Sequence, residues 1–205
     1  MKKRFPLLAL SVAALFAITL VQARAFYNTI FQQLGLQTEE AESYIDANFI
    51  SGSMAFAGTP MMAALSLDQR EEAVKAMGQY VKAYVQTPSF AANYEQARQE
   101  GKPVKPEGRD QNAETMAVYR QDLQYWEAEF PATINDLLKK RLLQFLAETA
   151  TIDYNAKLVK KDRKMVFADP ALEAKDSFWK ACFRSGKRTV DAARAFALQW
   201  LAELK

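Results

Sequence analysis

The chain has 205 residues, 27 of them basic and 24 acidic, with one cysteine and no histidine. Half of its residues are apolar and 12% aromatic, enough for a real core, which excludes a wholly disordered chain. The missing histidine excludes Ser-His-Asp and Cys-His catalysis, the common zinc sites and any His-ligated haem, and a lone cysteine cannot form an internal disulfide.

At the N-terminus Lys2, Lys3 and Arg4 precede an apolar run, Pro6 to Val21, that only Ser11 and Thr19 interrupt. Ala23-Arg24-Ala25 then places small residues at the two positions a signal peptidase inspects. This order predicts a secretory signal peptide over residues 1–25, cleaved after Ala25. The run is short of the ~20 residues a spanning helix needs, and no later run is longer, so no stable membrane insertion is expected. Removing Lys2, Lys3, Arg4 and Arg24 from the 27 basic residues leaves 23 against 24 acidic, so the basic pI of about 8.9 belongs largely to the leader. A nucleic-acid partner, which would require surplus positive charge, is therefore not expected. The expected location is the periplasm or the exterior.

The remaining residues, 26–205, read as one all-α domain, an irregular bundle of six to eight helices. Phe26, Ile30 and Leu34 share a face of a short helix that Gly35 ends. Thr38 is placed to cap the next, whose first turn is acidic (Glu39, Glu40, Glu42) and whose stripe is Tyr44, Ile45, Phe49 and Ile50. Ser51 to Leu65 is apolar and uncharged, and Gly58-Thr59-Pro60 should divide it into two short pieces. Ser66 with Gln69 has the form of a capping box ahead of a helix over Leu67–Gln86, with Leu67, Val74, Met77, Val81 and Val85 inward.

A further helix is expected over Ser89–Glu100. The glycines and prolines of Gly101 to Gly108 predict a surface loop near 101–109. Met116, Tyr119, Leu123, Trp126 and Phe130 then step along one helix face until Pro131. Thr133 and Asp136 signal the next start, with Ile134, Leu137, Leu138, Phe145 and Leu146 inward. The lysine-rich stretch from Ile152 to Phe167 reads as a solvated segment with room for a short helix and no strand alternation. Asp169-Pro170 should open a helix running to about Arg184, with Ser185-Gly186 ending it. A last helix over Lys187–Leu204 should bury Val190, Ala193, Ala197, Trp200 or Leu201, and Leu204.

The chain has neither GxxxxGK[ST] nor GxGxxG, so no phosphate loop is expected. Carboxylate catalysis is what the composition leaves open: two acids across a groove could hydrolyse an envelope polymer. Glu42-Ser43 resembles the Glu-Ser pair of lytic transglycosylases, but their Gly-Leu-Met-Gln stretch has no counterpart in Ser51 to Leu65. The three early glutamates are explained by the helix dipole. Cys182, among Phe178, Trp179 and Phe183, reads as a small core side chain rather than a thiolate activated by Lys180 or Arg184. Met54, Met61, Met62 and Met77 match no Met-rich copper repeat and read as core or groove lining.

Two candidate sites follow. Met54, Phe56, Met61 and Met62 form a soft apolar surface suited to an apolar small molecule or a protein partner. Arg184, Lys187 and Arg188 surround a helix start where a small anion could bind. No metal or cofactor is expected. The sequence thus points to an exported, non-enzymatic helical binding protein. The alternatives are a carboxylate-dependent envelope hydrolase and an assembly protein that dimerises near Cys182.

Overall fold

The computed structural model describes residues 21–108 and 111–204, leaving aside the side chains of 46–49. The basic n-region and almost all of the apolar run lie outside these residues. Helix α1 occupies residues 21–33 of the described chain, and Gly35 turns it at φ 69°. Its buried face is Tyr27, Ile30 and Phe31, while Phe26 is 51% exposed, so the expected stripe is rotated by one position. Helix α2 spans Thr38–Ala57; its N-cap is Gln37 rather than Thr38, and Glu39 and Glu40 stand in its first turn.

Gly58 ends α2 and Thr59 caps α3 (Pro60–Ala63), the division expected from Gly58-Thr59-Pro60. Helix α4 (Leu67–Tyr84) starts on the full capping box of Ser66 and Gln69. Val74, Met77, Val81 and Val85 are buried as expected, whereas Leu67 is exposed. Helix α5 (Pro88–Glu100) follows, capped by Thr87 with proline at its first position.

Helix α6 (Ala113–Glu129) differs most from its sequence pattern. Only Trp126 of its stripe is buried; Met116, Tyr119 and Leu123 are half-buried, and Val118 and Tyr125 are exposed. Trp126 fastens α6 to the end of α5: its Nε1 donates to the Arg98 carbonyl at 2.9 Å, and the Arg98 guanidinium stacks 4.8 Å above its ring. Helix α7 (Ile134–Ala150) begins where Thr133 accepts the Asp136 amide. It buries Leu137, Leu138, Leu142 and Phe145.

The segment 152–167 is not helical. Strands β1 (Leu158–Lys161) and β2 (Lys164–Phe167) pair antiparallel, with Leu158 opposite Phe167 and Lys161 opposite Lys164. Asp162 and Arg163 make the two-residue turn, both at positive φ (47° and 67°). Such a turn normally uses Asn-Gly or Asp-Gly, so the usual hairpin signal is missing from the sequence. The fold remains mostly helical with this one small sheet among the described residues.

After β2, α8 (Pro170–Glu173) and α9 (Ser177–Ser185) replace the single helix expected from Asp169-Pro170. Asp176 accepts the Trp179 amide at 2.7 Å and so restarts the helix. The Glu173 carboxylate turns back to accept the Phe167 amide at 2.8 Å and the Lys180 ammonium at 3.0 Å, tying α8 to both neighbours. Gly186 (φ 86°) ends α9 and opens α10 (Lys187–Glu203), which buries Val190, Ala197 and Trp200. These short pieces bring the helix number above the six to eight expected.

The core lies between α1, α2, α4, α7, α9 and α10. Gly78 lets α10 approach α4: a Cβ there would stand 2.9 Å from the Phe196 ring. Helix α2 bends sharply. Twelve residues of straight helix span about 18 Å, yet the Tyr44 and Phe56 rings are 5.7 Å apart. The Tyr44 carbonyl lies directly against Gly52, where any Cβ would overlap it. The bend folds the second half of α2 back, so that Phe56 also stacks on Phe31 of α1 at 5.9 Å.

Candidate functional site

The bend in α2 and the close α4–α10 approach leave an apolar crevice where α2, α4, α7 and α10 meet. Met54 and Ile50 line it from α2, Met77 and Val81 from α4, Leu142 and Phe145 from α7, and Ala193, Phe196 and Trp200 from α10. Ile50, Gly78, Ala193 and Phe196 are half-buried, so the crevice reaches the surface; its volume is about 50 Å³. Ser53 is the polar side chain of the wall. Trp200 belongs to the lining too, and its indole N–H is buried without a hydrogen-bond partner.

Of the four residues expected to form an apolar surface, only Met54 lines this crevice. Phe56 and Met62 are fully buried core residues, and Met61 is half-buried against that core. The soft composition of Ser51 to Leu65 therefore serves interior packing, since the bend turns these side chains inward. Met77, Phe145 and Trp200 carried the signal for the crevice, in that each was expected on an inner face. Their convergence depends on which helices pair.

The expected anion site is neutralised by the protein's own carboxylates. Arg188 binds Asp68 at 2.6 Å and also pairs with Glu71, and Lys187 binds Asp191 at 2.6 Å. Arg184 is exposed in the last turn of α9, where it offsets the negative helix end. The three cations thus do not converge on one free site.

The same ion pairs bear on carboxylate chemistry. Glu71 and Asp191 line one groove of about 450 Å³ between α4 and α10, but each is already paired with Arg188 or Lys187. Glu42 is mostly buried; one oxygen binds Arg24 at 2.8 Å and the other faces the interior unpartnered. Burial, followed by the Glu42 charge, raises the neighbouring Tyr27 phenol well above its ordinary value. Among the described residues no group of three or more acids and cysteines could hold a metal ion.

Cys182 is buried and unbridged, and burial, with Glu148 and Asp176 adding their charge, pushes its thiol up to about 12. A thiol so protonated and enclosed is neither a nucleophile nor a surface link between copies. No helix among the described residues is long and apolar enough to cross a membrane.

Fold and crevice together define a mostly helical protein with an apolar recess between four of its helices. No family model, curated protein or solved structure matches the chain.

Proposed function

We propose that the protein is exported and acts by binding rather than catalysis, taking a small apolar molecule with one hydrogen-bond acceptor into the α2–α4–α7–α10 crevice. The observation that carries this reading is the lining, apolar side chains from four helices with Trp200 among them, and the Trp200 indole N–H is buried without a partner. Leaving a buried donor unpaired costs about 1–3 kcal/mol, and an acceptor on the ligand would recover that. The crevice is too small for a ring system as it stands, which favours a chain end over a bulky group. Met54 and Met77 are unbranched and can swing to enlarge it.

The test is a titration of the purified protein with 1-hexanol, followed by tryptophan fluorescence and repeated on Ala193→Leu, which fills the crevice from α10. A saturable change in the parent protein that disappears in the variant supports the reading. An unsaturable response, or an equal one in both proteins, overturns it.

A further inference from the structure

A second cavity lies away from the crevice, where the end of α4, helix α5 and the α6–α7 junction meet. Its volume is about 290 Å³, and its walls include Tyr84, Phe90, Tyr94 and Phe130, with Glu129 and Arg141 beside them. All four rings are half-buried and share this one space. Ring contacts and one hydrogen bond set their placement. Tyr84 and Phe90 stand at 69° with centroids 5.5 Å apart, two walls of a corner. Tyr94 lies 6.3 Å from Phe130, and its hydroxyl donates to the Pro131 carbonyl at 2.7 Å, which fixes the ring.

Four aromatic rings line this one space, and a ring that turns its face to a ligand presents negative quadrupole potential, which attracts a cation. A primary ammonium would prefer carboxylates and water, because it has protons to donate. A quaternary ammonium has none, and its methyl groups pack on ring faces while its charge is drawn to them. The charges beside the rings supply a further requirement. Glu129 is held by Lys140 at 2.7 Å and Arg141 at 3.1 Å, so these three groups carry one net positive charge. A bare cation would be repelled there, whereas a ligand carrying its own anion could place that anion on Arg141.

We propose that this aromatic cup binds a trimethylammonium group joined by a short linker to an anion, as in a free betaine or phosphocholine or in the head group of a phosphatidylcholine. The cavity is independent of the α2–α4–α7–α10 crevice, so its assignment stands or falls separately from the reading given above.

The experiment is calorimetric titration of the intact protein with phosphocholine and with 3,3-dimethylbutyl phosphate, which has the same shape but a neutral carbon in place of the nitrogen. Phosphocholine should bind at least about tenfold more tightly, the advantage expected when several rings face the charge. Phe90→Leu, which keeps an apolar wall but removes one ring, should cut phosphocholine affinity several-fold and the isostere's affinity by clearly less. Equal binding of the two ligands overturns the proposal, as does binding of neither; the comparison on the parent protein needs no variant to fold. Cosedimentation with phosphatidylcholine vesicles would assign the head group as the source. Binding of soluble phosphocholine without vesicle capture would assign a free solute.

Discussion

Arg194 crosses from α10 to the end of α7, and its removal gives a quantitative test of how the two helices are joined. Its Nη1 donates to the Leu146 carbonyl and to Thr149 Oγ1, both at 2.6 Å. Thr149, itself buried, donates onward to the Phe145 carbonyl at 2.6 Å. The Leu146 carbonyl lies one turn before the end of α7, so the guanidinium adds a donor there and sets positive charge close to the negative end of the helix. Hydrogen bonds to a charged group are worth about 1.5–3 kcal/mol, and the dipole adds about 0.5 kcal/mol. Arg194 is half-buried, so the lower part of that range applies. Arg194→Met, which keeps most of the stem, should therefore destabilise the protein by about 2–3 kcal/mol. For a domain of this size that corresponds to a fall in Tm of roughly 4–12 °C. Thermal and urea unfolding followed by circular dichroism would measure it, and Arg194→Lys should recover part of the loss by keeping the charge. A methionine variant within about 0.5 kcal/mol of the parent, a change typical of a neutral surface site, would refute the reasoning. So would a lysine variant as unstable as the methionine one.

Three further outcomes are expected. Cys182 should resist thiol reagents in the native protein at pH 8 and react fully in denaturant, since its thiol is buried and pushed up to about 12; fast native labelling would contradict its place in the core. Glu129 is held below the ordinary carboxylate value of 4.5, first by the Lys140 hydrogen bond and then by the charges of Lys140 and Arg141. A depressed folded value means that its contribution is full above about pH 4.5 and lost as pH falls through the lower folded value. Because the side chain is 56% exposed, solvent screening keeps the effect small. Glu129→Gln should slightly flatten stability against pH between 3 and 5 in urea titrations, and an unaltered acid limb would count against the pairing. Replacing Asp162-Arg163 by Asn-Gly should stabilise the hairpin by about 1 kcal/mol, because both positions have positive φ. A destabilised variant would show that the turn is held by something other than its backbone.

The parts legible in the sequence are those where one local interaction decides the outcome. Ser66 with Gln69, Thr133 with Asp136, and Asp169 before Pro170 each start a helix by satisfying amides within four residues, and each does so here. The misread parts depend on distant chain. The turn at Asp162-Arg163 has no glycine to announce it. The bend in α2 is visible only through Tyr44, Gly52 and Phe56, and it is what converts the apolar stretch from a candidate surface into core. Arg188 looked available because its partner Asp68 is 120 positions away. The aromatic cup draws on residues from 84 to 141, none of them unusual within its own helix. The α6 stripe failed for the opposite reason, since periodicity reports which residues share a face and not whether another helix covers it.

The proposed export leads to a prediction about the N-terminus itself. Helix α1 runs through residues 21–33 and crosses the bond after Ala25, where the leader is expected to be cut. Two positions on, Tyr27 is fully buried and stacks on Tyr80 at 4.9 Å, and Phe31 is buried one turn later. Cleavage would therefore leave in place Tyr27, Ile30 and Phe31, the side chains that α1 buries among the described residues. It would remove Arg24 and with it the pair to Glu42; Arg24 is 56% exposed, but Glu42 is only 15% exposed, and leaving a buried polar group without its partner costs about 1–3 kcal/mol. The processed chain should still fold cooperatively, with Tm lower by roughly 2–12 °C. Intact mass measurement on protein taken from the periplasm should give a chain beginning at Phe26. A chain that retains Met1 would sink the export reading. A processed chain that no longer unfolds cooperatively would show instead that α1 needs the residues before Phe26.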